Sequence, residues 1–356
     1  MRVKNPDAPD CETLRFASQD RVLVLAPHPD DETIACGSAI TTALKSRAQV
    51  RIVLATDGDN NPWPQRRLER IWRIGAADRR RWGARRRAEA DAALDRLGVH
   101  ATQRRYLGWP DQGLTELLLG DGDSAAARIA AEIVEFAPTH IFSPSLRDTH
   151  PDHSALHVLV WAALRRCALT PERYDYRVHG LESAVPTHVA LHSSLKHVAI
   201  DCHRSQLQFG RQRLERFARL PETFERATGE PRTSVECGRE SAVRCDVWRQ
   251  WCGQRLLAVG VARDGSIVAA HARLPRFGAN ATWESANPMP TQPVPLRRMR
   301  GNWHFELPWG DARMTYLKLD HHPRGVWIFD QASWLLGSAA PGIATATPNA
   351  ALHSSD

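Results

Sequence analysis

Two short stretches of this 356-residue chain concentrate side chains that bind metal ions and move protons. The first is Pro27-His28-Pro29-Asp30-Asp31-Glu32; the second is Thr149-His150-Pro151-Asp152-His153-Ser154, with Asp148 just before it. Each offers two polar groups three residues apart, a spacing that a tight strand-to-helix turn converges on one point. Alone, each is a weak signal, because a histidine beside a carboxylate is usually a satisfied polar pair. Together they supply His28, Asp31 and His153, a set of imidazole and carboxylate ligands that leaves a catalytic zinc one position for water. Asp30 and His150 then stand beside the set without a metal bond. That division suits hydrolysis of an amide: Asp30 is the candidate general base for water, and His150 the candidate partner of the oxyanion and proton donor to the leaving amine. Asp148 either holds His150 in its charged form or is a solvated loop acid. Zn2+ is the expected cofactor, and Fe2+ or another divalent ion is compatible with the same donors.

The elements that must carry these residues follow from the apolar pattern. Val22 to Ala26 is a continuous aliphatic run that predicts a strand buried on both faces of a parallel sheet. It delivers His28 to the strand's C-terminal end, the edge where open α/β sheets bind ligands. A helix is expected from about Asp31, and its macrodipole by itself would favour acids at this position. Val50 to Thr56 predicts a second buried strand, ending in Asp57, Gly58 and Asp59. The loop Asn60 to Pro64 leads into an arginine-rich helical region that stops at Leu97, with Gly98 as C-cap. A short strand at 104–107, the turn-rich segment Gly108 to Gly113, a helix at 124–136 and a strand at 139–143 come next, and the last opens into the histidine motif. A strand at 188–192 and a helix at 195–219 follow, with Ser193 and Ser194 as caps. The alternation predicts an α/β fold, a Rossmann-like, mainly parallel sheet with helices on both faces.

From about Pro231 the pattern changes to short alternating runs. Leu256 to Ala262 and Ser266 to Ala272 flank Arg263-Asp264-Gly265 as a hairpin, and Arg300 to Asn302 and Pro323 to Gly325 read as further turns. Asn287 to Pro295 is a proline-rich connection. Trp248, Trp251, Trp283, Trp303, Trp309, Trp327 and Trp334 are expected to fill a small β core rather than to stack on sugar rings. The expected organisation is a catalytic domain over 1–230, a smaller β-rich accessory domain over 231–336, and a disordered tail over 337–356.

Composition excludes several classes. The formal charge of +7 and pI near 9.3 could attract anions, but much of the basic excess lies between Arg66 and Arg105, where a solvated helix face accounts for it. No nucleic-acid module accompanies it, so no nucleic-acid partner is expected. No run of eighteen apolar residues predicts a membrane span, although peripheral contact with a membrane surface is compatible with the charge. The first residues lack the apolar core of a secretory signal, which argues for a cytoplasmic location. The 7 cysteines contain no CxxC pair, against a disulfide framework or a thiolate zinc site. Oligomeric state is not specified.

The paired motifs His28 to Glu32 and His150 to His153, in this order, are those of a known family: the chain resembles the PIG-L / LmbE-like zinc-dependent N-acetylglucosaminyl deacetylases. Arg86 to Ala90, Leu97 to Val99, Tyr106 to Asp111 and Leu195 to Gln206 extend the resemblance over roughly residues 20 to 220. It implies the same assignments as above: His28, Asp31 and His153 on zinc, Asp30 as base, His150 at the oxyanion. It adds Arg86 and Asp111 as contacts to sugar hydroxyls, whose ordinary readings are a helix-surface salt bridge from Arg86 to Glu89 and a turn-capping acid. It further implies a substrate carrying an N-acetylglucosamine-type unit, as a small molecule or a glycolipid. The β-rich region lies outside it. Other readings are an amidase for a thiol-sugar or glycopeptide conjugate, a glycan-binding protein with a vestigial metal site, and a non-haem Fe(II) oxygenase, in which the spare Asp30 has no task.

Overall fold

The structure, a computed structural model, describes residues 11–180, 188–190, 192–227, 235–236, 241–244, 254–275, 277–287, 294–299, 302–309, 314–321, 329–330, 334–338 and 342–344. Its first part runs β1 (Glu12–Thr13), β2 (Arg21–Ala26), α1 (Asp31–Lys45), β3 (Gln49–Thr56), α2 (Pro62–Glu69), α3 (Ala76–Leu97), β4 (Arg104–Trp109), α4 (Leu114–Phe136), β5 (His140–Pro144), α5 (Pro151–Arg165), β6 (Glu172–Tyr176), β7 (His188–Ala190), α6 (Ser194–Ile200), α7 (Arg204–Arg219) and β8 (Glu222–Arg226). The remainder comprises β9 (Val235–Glu236), β10 (Ser241–Arg244), β11 (Gln254–Val261), β12 (Ile267–Leu274), β13 (Asn280–Thr282), β14 (Ser285–Asn287), β15 (Pro295–Met299), β16 (Asn302–Phe305), β17 (Met314–His321), β18 (Leu335–Ser338) and β19 (Gly342–Ala344). By packing, the chain forms two units: Met1–Asp111, Phe136–Ser145 and Thr170–Thr228, and Gln112–Glu135, Leu146–Leu169 and Gly229–Asp356.

The first unit holds an eight-stranded sheet in the order β1-β7-β8-β6-β5-β2-β3-β4. The centre, β6-β5-β2-β3-β4, is parallel, as expected for strands joined by helical crossovers. Val22, Val24 and Ala26 of β2 and Val50, Ile52 and Leu54 of β3 share a core with Ile34, Ala39, Ile40 and Ala43 of α1. Leu23 and Leu25, on the opposite face of β2, are also buried, so the continuous apolar run reflects burial on both sides. From β2 the chain moves outward through β3 to β4 and then returns to place β5 on the other flank of β2. The C-terminal ends of β2 and β5 therefore form a topological switch point, the crevice where this class of sheet places ligands.

Several elements differ from the sequence reading. The strands β6 and β8 were not expected; β8 pairs antiparallel with β6 and β7 and makes the sheet mixed. The arginine-rich region is two helices, because Arg70 closes α2 in the left-handed conformation (φ 52°, ψ 39°), and α2 already begins inside the expected loop, at Pro62. The helix expected over 195–219 is broken into α6 and α7 by a turn at 201–203, where His203 is fully buried and its Nε2 lies 3.2 Å from the Thr33 hydroxyl of α1. Helix α4 starts ten residues before the expected Ser124 because the Asp152 carboxylate accepts the N–H groups of Gln112 (2.7 Å) and Leu114 (3.1 Å) at its start.

In the second unit, β14-β12-β11-β17-β18-β9 form a six-stranded sheet and β13-β15-β16-β10-β19 a five-stranded one, both mainly antiparallel. Leu256, Ala258, Ala270, Leu317, Leu296, Phe305, Trp283 and Trp303 from the two sheets make one apolar cluster, so these two indoles do fill the core. The expected hairpin is β11–β12, turning at Gly265 (φ 80°), and it docks on α4 and α5. Arg166 donates to the Gly265 carbonyl (3.1 Å), Asp123 accepts the N–H of Ile267 (3.0 Å), and a Cβ at Gly265 would meet the Ala162 carbonyl at 2.4 Å. The tail expected to be disordered is a strand at both of its described segments: β18 pairs with β17 and runs through Gly337 and Ser338, and β19 pairs with β10. The sheet edge supplies backbone partners that composition does not reveal. The rest of the tail, Trp248, Trp251, Trp327, residues 288–293, 300–301 and 323–325 lie outside the described residues.

Candidate metal centre

The first unit presents His28, Asp30 and Asp31 directly after β2. His28 Nδ1 lies 3.0 Å from Asp31 Oδ2, and its Nε2 lies 3.2 Å from Asp111 Oδ1. Asp111, behind the ring, also accepts the N–H of Asn60 (2.6 Å). Burial raises the Asp111 pKa, but the His28 bond, the Arg86 charge and the Asn60 N–H outweigh it and hold the group below the ordinary carboxylate value.

Asp30 caps α1 with φ 155° and ψ −29°, a conformation that residues other than glycine rarely adopt. Its carboxylate pairs with Arg86 at 3.0 Å. Burial raises the Asp30 pKa to about 6, with Arg86 and His28 opposing and Asp31 adding to the rise. Arg86 is buried, and donates to the carbonyls of Pro29 (2.9 Å) and Gly58 (3.1 Å) as well. The surface salt bridge to Glu89 does not form; Glu89 instead accepts from the backbone (3.0 Å) and hydroxyl (2.6 Å) of Ser205. Gly58, which the sequence places at the polar end of a strand without a role, sits at φ 63°, and a Cβ there would lie 2.1 Å from Arg86 Nη1. Its signal was a glycine between two acids at a strand's end. Glu32, fully buried, accepts the N–H of Asp30 (3.0 Å) and the Thr33 hydroxyl (2.8 Å) and supports the turn.

The second unit presents the histidine motif at the start of α5. The two oxygens of Asp148 accept the His150 N–H (2.9 Å) and face His153 Nδ1 (3.1 Å). The Asp148 carboxylate thus backs the ring of His153 and holds the backbone of His150. The Asp148 carboxylate 3.1 Å from Nδ1 of His153 favours the proton on that nitrogen, the tautomer in which Nε2 carries the lone pair a metal ligand needs. His150 Nδ1 accepts the N–H of Asp152 (3.2 Å), which assigns its proton to Nε2 and makes that nitrogen a donor. Within the first unit His28, Asp30, Asp31, Arg86 and Asp111 lie together, and within the second Asp148, His150 and His153 do.

Fold and site define a class: a Rossmann-like α/β protein whose switch-point strands lead into buried histidines and carboxylates. The family model described as GlcNAc-PI de-N-acetylase, PIG-L, matches residues 23–164. Among curated relatives, the 1D-myo-inositol 2-acetamido-2-deoxy-alpha-D-glucopyranoside deacetylase of Mycolicibacterium gilvum is 31% identical over 189 residues, 48% of this chain and 63% of its own length. The deacetylase of the same name from Mycolicibacterium smegmatis is 31% identical over 172 residues, 44% of this chain and 57% of its own. The chain thus spans less than two thirds of these relatives. A solved structure of N,N'-diacetylchitobiose deacetylase from Pyrococcus horikoshii superposes with a TM-score of 0.47 at 21% identity, over 58% of this chain and 84% of that one.

Proposed function

We propose that the protein is a metal-dependent N-deacetylase that hydrolyses the acetamido group of an amino-sugar conjugate, releasing acetate and a free amine. His28, Asp31 and His153 would hold the ion. The observation that carries this reading is the switch point: β2 and β5 are adjacent and parallel, and each leads at its C-terminal end into one of the two motifs. The donor chemistry fits zinc, with His153 backed by Asp148 and His28 by Asp111, the second carboxylate that catalytic histidine ligands commonly have. What the ion supplies when bound is Lewis acidity towards water and the carbonyl oxygen.

The remaining work belongs to the chain. Asp30, poised near neutrality by burial and Arg86, takes the proton of the attacking water as the C–O bond forms. His150 donates from Nε2 to the oxyanion, and the proton held by Asp30 passes to the nitrogen as the C–N bond breaks. Arg86 and Asp111 are proposed to act through Asp30 and His28, with which they pair, as well as being the candidate contacts to sugar hydroxyls. Residues 1–230 are proposed as the catalytic domain, and a cytoplasmic location follows the same reading. Among the described residues no helix is long and apolar enough to cross a membrane.

The test is a panel of N-acetylated amino-sugar conjugates, beginning with the inositol glycoside named in the relatives' activity, assayed for released amine with and without a chelator. Chelator-sensitive amine release is expected. Absence of turnover across the panel, in protein shown to contain metal, overturns the reading.

A further inference from the structure

We infer that Phe329, in the β-rich part of the second unit, is a positioning residue for His150, so that a segment outside the matched family domain sets the geometry of the oxyanion donor. The inference rests on the role proposed for His150. Phe329 meets the His150 ring edge to face, with centroids 5.9 Å apart and planes at 82°, a geometry that the aromatic quadrupole favours. Its neighbour secures it: the Asp330 N–H donates to the Thr149 carbonyl at 2.7 Å, one residue before the histidine. The Asp330 carboxylate is ion-paired with Lys318, a buried residue of β17. Nζ of Lys318 lies 5.2 Å from the centroid of Trp334, and the Trp334 indole N–H donates to Ser154 Oγ at 3.2 Å, within the first turn of α5.

The histidine motif is therefore gripped on both sides of His150 by residues of β17 and its following segments. A buried lysine–carboxylate pair is an expensive way to gain stability and an effective way to define one geometry. With Nδ1 of His150 accepting from Asp152 and Phe329 against the ring, the imidazole is kept from turning over, and Nε2 keeps one direction. Phe329 is 39% exposed, so part of its ring stays open to solvent.

The experiment compares full-length wild type with Phe329→Ala and Phe329→Tyr. Carbethoxylation of His150 by diethyl pyrocarbonate, mapped by peptide mass spectrometry without substrate, is read alongside kcat, KM and the melting midpoint. In Phe329→Ala the His150 labelling rate should rise about threefold and kcat should fall about tenfold or more while KM stays within about twofold, because orientation rather than binding is lost. Phe329→Tyr, which keeps the ring, should restore both. Unchanged labelling and kcat in Phe329→Ala, a loss borne by KM alone, or a lowered midpoint with no rescue by Phe329→Tyr overturns the inference. Labelling is read without turnover, so a failed deacetylase assay leaves this test decisive and counts only against the proposed function.

Discussion

At the scale of single residues, Asp30 and its neighbours show how a carboxylate is prepared for proton transfer. Burial raises its pKa to about 6, against the opposing charge of the buried Arg86, itself aimed by two backbone carbonyls. Asp30→Asn removes the proton acceptor and keeps the shape. Its kcat should fall by about 10²–10⁴, with metal content by elemental analysis equal to wild type. Gly58 is the hidden partner of this pair. In Gly58→Ala the new methyl is forced both into the left-handed region and onto Arg86 Nη1, so Arg86 must leave Asp30. The expected result is a fall in kcat of about tenfold or more and a lower melting midpoint by about 1–3 kcal/mol of stability. An active, unaltered Gly58→Ala would remove Arg86 from the account.

At the scale of elements, the turn between α6 and α7 is pinned to the start of α1 by His203. Burial, aided by the positive charge of Arg86, pushes the His203 pKa down to about 3. The folded chain thus refuses a proton that the unfolded chain binds below about 6.5, so stability is lost as pH falls from there towards 3, by up to about 1.4 kcal/mol per pH unit. His203→Gln should flatten the acid limb of a stability–pH curve from urea unfolding over that window. A curve that keeps its slope would assign acid lability to other groups.

At the scale of the molecule, the linear order of domains and the packing of the chain do not coincide. Helices α4 and α5 group with the β-rich region, through Arg166 to Gly265, Asp123 to Ile267 and the ion pair of Arg255 with Glu116. A chain ending at residue 230 therefore exposes the faces of α4 and α5 that the β11–β12 hairpin covers. It should show ANS binding and a melting transition that is broadened or lost, whereas a cooperative, wild-type-like melt would show that residues 1–230 fold alone.

What the amino-acid order determined by itself is local. A continuous apolar run marks a strand buried on both faces, polar residues at its end mark the ligand edge, and the His-Pro-Asp signatures name the side chains; each of these is set by residues within a few positions of one another. The physical cause is periodicity and turn chemistry, which act over a handful of bonds. Only the tertiary structure decided which carboxylate backs which ring, since Asp148 could have served either histidine and turned to His153. It alone brought Gly58 against Arg86 and Phe329 against His150, contacts across 28 and 179 positions of chain that no local pattern records. Such partners are selected by packing, where burial of the whole core determines which distant side chains meet.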